Sequence, residues 1–284
     1  MGFKKVRVIK KVIVYLGLFL VCSFVLIPFL WMVSTSFKQR SEIFTYPPIW
    51  IPRQPTLEGY LGLFREKPFG GVGFGTFLKN SMIVSLFTAA ITVILASLAS
   101  YSLSRFRFRG SSFLKYMILF SQMLPGSLML IPLYLMMRDL KLLDNLMGLV
   151  FAYSSFTLPY CTYLLKGYFD SIPPDIDEAA LIDGCSRIGA LFRVIFPLAG
   201  PGLVVTITQA IIMSWNEFMY ALTFTNTYGN WTIPLALGSF RGQYLVNWGY
   251  LFAGSTLVTI PVILIFLLLQ KSIAQGFVAG AVKG

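Results

Sequence analysis

Of the side chains able to do chemistry, the most informative is one that never occurs: the 284-residue chain has no histidine. That absence removes a Ser–His dyad, an HExxH zinc motif and any histidine base from the mechanisms open to it. Cys22, Cys161 and Cys185 form no CxxC pair, so neither a disulfide framework nor a cysteine zinc site is supported. No GxxxxGK(S/T) loop occurs, so the chain is not expected to hold ATP by a P-loop. Gly70, Gly71, Gly73 and Gly75 resemble a dinucleotide fingerprint only superficially, because no strand precedes them; they read as a flexible approach to the next apolar run. Two acidic features remain. Glu217 is the carboxylate inside a long apolar run, beside Trp215 and Asn216. Asp175, Asp177 and Glu178 crowd a short segment after Pro173 and Pro174. No second carboxylate falls within an apolar run to pair with Glu217.

The elements that must position them follow from composition. A soluble domain is about 25 % charged, whereas this chain is 12 % charged and 56 % hydrophobic, with positive mean hydropathy. So little charge cannot cover a water-facing surface, which points to lipid around much of it. The formal charge of +12 comes from Lys and Arg at the ends of apolar runs. That placement is membrane topology rather than a nucleic-acid groove. Runs near 12–36, 77–103, 114–137, 146–167, 201–225 and 250–270 each reach the ~20 residues that span a bilayer. Lys4, Lys5, Arg7, Lys10 and Lys11 precede a first run too long for a signal peptide, so it reads as a retained span. That segment and the loop with Arg105, Arg107, Arg109 and Lys115 are the most basic, which puts both termini in the cytoplasm of a multi-pass protein of the cell membrane. The loop after the first run also carries Lys38, Arg40, Arg53, Arg65 and Lys67, offset in part by Glu42, Glu58 and Glu66. Pro28, Pro125, Pro132, Pro159 and Pro261 fall within runs, where each frees a carbonyl that lipid cannot satisfy. Ordinary helix packing and a bundle that bends to open a path both fit. The expected organisation is an N-terminal segment, first span and external loop over 1–76, a five-helix core over 77–270, and a cytoplasmic tail over 271–284.

The acidic segment lies in a loop over 168–200, cytoplasmic by the same charge count. Pro173 and Pro174 suit a helix start, and the acids after them suit its positive end. Ile176, Ala179, Ala180 and Ile182 supply apolar and small surface, and Gly184 ends the helix. A second amphipathic stretch carries Ile188, Leu191, Phe192 and Ile195 and closes at Pro197 and Pro201. The pair reads either as an interfacial lid or as a docking surface. An acidic helix beside an anionic membrane argues for a protein partner with basic groups.

This segment resembles the EAA loop of ABC importer permeases: EAA, three residues, Gly, nine residues, then I-x-L-P. Glu178, Ala179, Ala180, Gly184 and Pro197 stand in register, with Val194 and Phe196 at the Ile and Leu positions. RFRFRG at 105–110, IPLY at 131–134, WNEF at 215–218 and AGAVKG at 279–284 are similar to the carbohydrate branch, in particular its maltose-permease-G-like subunits, over essentially the whole chain. The resemblance implies an all-α, six-span permease of the MetI-like type I importer fold. It implies coupling to ATPases through Glu178, Ala179, Ala180, Asp183, Gly184 and Pro197. It also implies two ATP-binding-cassette subunits that use ATP and magnesium, a different second permease subunit, an external solute-binding protein, and no cofactor on this chain.

A buried charge in a membrane costs at least ~2.5–3.5 kcal/mol on insertion scales, so Glu217 faces a partner or water. With Trp215 and Asn216 it offers aromatic, amide and carboxylate groups suited to a sugar. It suits equally a helix pair, with Trp215 as an interfacial anchor. Gln122, Gln209, Ser154, Ser155 and Thr208 read as path residues or as helix–helix glue. The loop 226–249, with Asn230, Trp231, Arg241, Tyr244 and Trp248, reads as external, either touching a binding protein or solute or capping the bundle. The leading expectation is therefore a non-enzymatic permease that moves a sugar or oligosaccharide by alternating access driven by separate ATPases. The alternatives are an ion-coupled secondary transporter and a permease for another solute. A membrane-embedded enzyme lacks the groups it would need.

Overall fold

Backbone N–H and C=O groups in lipid must be satisfied within the segment, so long apolar runs should become helices. They do so in the computed structural model, which describes residues 2–67, 69–240 and 246–281, with side chains at 9–67, 69–240 and 246–270. The side chains of Lys4, Lys5 and Arg7, the loop residues Arg241 and Tyr244, and the end of the AGAVKG segment lie outside the described residues. Among the described residues there is no strand, only an isolated bridge between Phe69 and Val72. Gly70 and Gly71 close that bridge with φ of +57° and +84°, and the Val72 N–H donates to the Phe69 carbonyl at 2.9 Å. Positive φ at both central residues makes this a tight turn rather than the flexible approach expected from the glycines.

The first run forms α1 (Gly2–Ser36), followed by α2 (Arg40–Ile43) and α3 (Glu58–Arg65). The second forms α4 (Phe74–Arg105). The third, expected as one span over 114–137, breaks into α5 (Ser111–Met123) and α6 (Gly126–Asp139), bent by 101°. Pro125 causes the break. It forces Leu124 into extended backbone (ψ 126°) and offers no N–H to continue the ladder. The fourth run is α7 (Leu146–Ser171), started by the Asn145 side chain accepting from the Met147 N–H at 2.8 Å. The loop helices are α8 (Asp175–Ile182) and α9 (Arg187–Ala190), then a π-helical turn (Leu191–Ile195) and α10 (Phe196–Leu198). The fifth run breaks as well. α11 (Gly200–Trp215) stops, and α12 (Met219–Phe224) restarts after Asn216, Glu217 and Phe218. A 3-10 turn (Tyr228–Asn230), α13 (Ile233–Ser239) and α14 (Trp248–Ala281) complete the order.

Among the described residues three helices qualify as membrane spans by length and composition: Ile9–Ser36, Phe74–Arg105 and Trp248–Gln270. The number rises to five if Ser111–Met123 with Gly126–Asp139, and Arg187–Leu198 with Gly200–Trp215, each count as one bent span. α7 is long enough, about 39 Å at 1.5 Å per residue, but its Ser, Thr and Tyr residues make it less apolar. The described residues thus show three to five such spans, with two of the expected six runs broken and the sixth span not shown.

The chain divides into two compact units. One comprises Met1–Lys67 with Ser239–Thr259. Within it the ring of Tyr250 fills the space where a Cβ on Gly62 would stand, and Lys38 lies over the Trp31 ring at 3.8 Å. The other comprises Pro68–Gly238 with Ile260–Gly284. Its centre is α7 packed on α4, with α11 against both. Hydroxyls and small residues let these helices approach, as expected where lipid gives no hydrophobic drive to association. The Thr92 and Thr157 hydroxyls meet at 2.9 Å, Ser100 donates to the Thr162 carbonyl at 2.8 Å, and Gly202 faces the ring of Tyr168.

In the same unit Asp144, in the left-handed region at φ +52°, anchors the segment after α12. Its Oδ1 accepts from the N–H groups of Asn226 and Thr227, both at 3.0 Å, and Asn230 Nδ2 donates to its carbonyl at 2.6 Å. Burial alone would raise the Asp144 pKa, but the hydrogen bonds from Thr227, Asn230 and Asn226 pull it below the ordinary value. Trp231 packs against Phe69, Phe77 and Tyr228. Asn230 and Trp231 are therefore held by the bundle, whereas Trp248 starts α14.

Candidate functional site

The loop over 168–200 has one face that holds on and one that is free. α8 opens with the Asp177 N–H donating to the Pro174 carbonyl at 2.9 Å, and the acids of its first turn lie at the positive end of the helix. Asp177 does more than favour the dipole. It turns inward and is 6 % exposed. Its Oδ2 lies 2.7 Å from Arg105 Nε, and its Oδ1 accepts from the Tyr101 hydroxyl at 2.8 Å. Arg105 Nη2 also donates to the Ile172 carbonyl at 3.0 Å. Ser104 donates to Asp170 at 2.7 Å, and Lys166 pairs with the same carboxylate. The first loop helix is thus bolted to the end of α4 by a buried ion pair with further hydrogen bonds on both partners. A single sequence cannot pair residues 72 positions apart. The available signals were an Asp directly before Glu178 and an Arg at the end of an apolar run.

Gly184 ends α8 in the left-handed region at φ +85°. The Cys185 N–H donates to the Ala180 carbonyl at 3.0 Å and the Gly184 N–H to the Leu181 carbonyl at 3.1 Å, the two bonds of a Schellman stop. A Cβ at Gly184 would meet nothing within 4 Å, so the glycine is required by the backbone and not by crowding. Glu178, Ala179, Asp183, Gly184 and Pro197 are exposed, and Ala180 is buried. Around them Ile182 is 86 % exposed and Ile188 66 %.

The second stretch does not keep its apolar residues on one face. Leu191 and Ile195 are buried with Leu165, Phe169 and Ala199, while Ile188 and Phe192 point outward. The π turn rotates the two sets apart. The Phe196 N–H reaches back five residues to the Leu191 carbonyl, immediately before Pro197, which has no N–H to restore the normal register.

The second candidate region is a cleft of about 660 Å³ among α5, α6, α7 and α11. Gln122, Ser155, Tyr160, Met213, Glu217 and Tyr220 stand in its lining. Glu217 sits in the break between α11 and α12 and caps the second piece. Its Oε1 accepts from the Tyr220 N–H at 2.9 Å and its Oε2 from the Ala221 N–H at 3.2 Å. Tyr220 in turn donates its hydroxyl to the Gly126 carbonyl at 2.9 Å, across to the start of α6. Both helix breaks therefore face one cleft. Of the expected path residues, the structure brings Gln122 and Glu217 together there. Trp215 is 4 % exposed and packed inward. Asn216 is exposed and donates to the Ile212 carbonyl of its own helix at 2.9 Å. Gln209 lies about 9 Å before Trp215, the last residue of α11, along the helix axis. None of these three is among the lining residues. Ser154 and Thr208 bond carbonyls of their own helices, as packing residues do. Tyr160 and Tyr220 were missed, because nothing local separates a lining tyrosine from a packed one.

Residues 92–278 match the family described as binding-protein-dependent transport system inner membrane component. The chain is 35 % identical over 279 residues to the trehalose/maltose transport system permease protein MalG of Thermococcus litoralis, covering 98 % of this chain and 99 % of that one. It is 34 % identical over 259 residues to the sulfoquinovosyl glycerol transport system permease protein SmoH of Agrobacterium fabrum, covering 91 % and 89 %. Among solved structures it resembles a bacterial ABC transporter involved in import of the acidic polysaccharide alginate, with TM-score 0.79, 25 % identity and coverage of 94 % and 97 %.

Proposed function

The chain belongs to the family of binding-protein-dependent transport system inner membrane components, and from that premise we propose that it is the permease through which an ATP-driven importer takes up a sugar or oligosaccharide. Relatives named for trehalose, maltose and sulfoquinovosyl glycerol support the substrate class. An ion-coupled transporter is not favoured, since the carboxylate at the cleft, Glu217, is already engaged by two backbone N–H groups.

The observation that carries the reading is the two-sided α8. Glu178, Ala179, Asp183 and Gly184, with Ile182 and Ile188, form an open face of mixed acid, small and apolar groups. That face suits a cleft with basic rims in an ATPase subunit. The opposite side, through Asp177 and Arg105, passes any displacement to α4 and from there to α7 and α11. Closure of two ATPases on ATP and magnesium would push α8, and the helices around the cleft would reorient. Gln122, Glu217, Tyr160 and Tyr220 would then meet the solute. A different second permease completes the path and an external binding protein delivers solute. In this reading the membrane is crossed six times, counting the bent helices and α7, with both termini cytoplasmic.

Glu178→Lys and Gly184→Leu test the docking face. Each is expected to lower uptake at least tenfold in vesicles containing the complete transporter, while the chain still inserts and ATP hydrolysis continues. Wild-type uptake in both variants would refute the assignment.

A further inference from the structure

We propose that the basic end of the α4–α5–α7 packing binds an anionic phospholipid, its phosphate at Lys115 and Lys166 and an acyl chain along α4. A cleft of about 240 Å³ there is lined by Ser112, Lys115, Tyr116, Tyr163 and Lys166, with Leu103 and Leu119 on its apolar side. A second cleft of about 510 Å³ shares Ile118 and Thr162 with the first. It continues past Ser102 and Leu98 to Leu95, and its lining is mainly apolar. From Leu103 to Leu95 the groove runs about 12 Å along the helix axis. A polar head site that opens into an apolar groove has the shape of a lipid rather than of a soluble anion.

The charge selects which lipid. Lys166 is answered by Asp170. Among the described residues no carboxylate lies within ion-pairing distance of Lys115, which is only half exposed to solvent. The adjoining exposed Arg107 and Arg109 add positive field and no acid lies between 105 and 115. One net positive charge with hydroxyls from Ser112, Tyr116 and Tyr163 around it matches a phosphodiester that carries a single negative charge. A choline head group would bring a further cation against the two ammoniums. Basic clefts between membrane helices commonly take such head groups. The site stands on this cleft alone and does not depend on the docking role of α8.

The test is native mass spectrometry of the chain purified with its partner subunits, stripped of lipid and titrated with phosphatidylglycerol, with phosphatidylcholine of the same chains, or with inorganic phosphate. Phosphatidylglycerol is expected to be retained at least tenfold better than phosphatidylcholine. Lys115→Glu should lose that preference and Lys115→Arg should keep it. Leu98→Trp, which fills the groove without touching the head site, should weaken retention of both lipids. Equal retention of the two lipids by the wild type overturns the proposal, as does retention unchanged in both Lys115→Glu and Leu98→Trp. Displacement of lipid by millimolar phosphate would mark a free-anion site instead, and a photo-cross-link to a partner permease from a photoreactive amino acid substituted at Leu98 would mark a protein contact. Either result refutes it.

Discussion

Asp177→Asn removes one charge from a pair whose side chains are 7 % and 8 % exposed, while leaving an amide of the same size beside Tyr101. Arg105 keeps its bonds to the Ile172 carbonyl at 3.0 Å and to Ser104 at 3.3 Å, but its charge is left without a counter-ion. Breaking a buried pair in this way costs about 3–5 kcal/mol. At roughly 1.4 kcal/mol per factor of ten, even the lower figure shifts the balance between held and released α8 by about a hundredfold. The expected consequence is uncoupling. In proteoliposomes with the complete transporter, solute moved per ATP hydrolysed should fall at least tenfold, and binding-protein stimulation of hydrolysis should be lost. Combining Asp177→Asn with Arg105→Met removes the stranded charge. Thermal stability should recover in that double variant while coupling stays impaired, a separation that a purely structural role would not produce. A wild-type coupling ratio in both the single and the double variant would refute the idea that this pair transmits motion.

Glu217→Ala should cost about 0.5–2 kcal/mol as a lost helix cap. Uptake should fall more than the yield of assembled complex, and a loss of assembly alone would leave Glu217 purely structural. Glu217→Gln should recover most of the stability, because one oxygen can still accept from the Tyr220 N–H at 2.9 Å. Gly202→Leu should prevent stable assembly, since its Cβ would stand 2.4 Å from the ring of Tyr168; normal yield and melting temperature would show that α7 and α11 separate easily. Asp144 has a lowered folded pKa, so its contribution is fully present above the unfolded value and is lost as pH falls through the folded one. The stability gap between wild type and Asp144→Asn should hold from neutral pH down to about 4 and shrink below that. A gap unchanged at pH 3 would refute this.

The feature most legible in the sequence was the loop around Glu178. Proline pairs, first-turn acids and a stop glycine act within a few residues, so their effects can be read locally, and α8 starts and stops where they put it. The long apolar runs were legible for the same reason, because the scarcity of charge fixes the solvent and the solvent demands helices. What escaped was the behaviour of those helices at Pro125 and at Glu217. A proline inside an apolar run can be carried within a continuous helix, as Pro28, Pro132, Pro159 and Pro261 are, or it can break the run outright. Which occurs depends on the contacts that neighbouring helices make at the proline. Just after Pro125 the Tyr220 hydroxyl, from a helix almost a hundred residues away, donates to the Gly126 carbonyl and ties down the start of α6, and no local pattern announces that.

The same distinction separates the two sides of the candidate site. The outer residues of α8 were named from the motif they share with a known loop, and that motif does not sort them by exposure: Glu178, Ala179, Asp183 and Gly184 are exposed, whereas Ala180, named with them, is buried. The anchoring pair was not named, because Asp177 finds Arg105 and Tyr101 only after α4 and α7 have packed through their hydroxyls and glycines. By itself the sequence determined a helical membrane protein with an acidic, glycine-stopped loop helix and no chemistry of its own. Tertiary structure alone decided which acid anchors and which acids remain free, which helices break, and that both breaks face one cleft. An ion pair is chosen by distance in space, and distance between remote residues is set by packing.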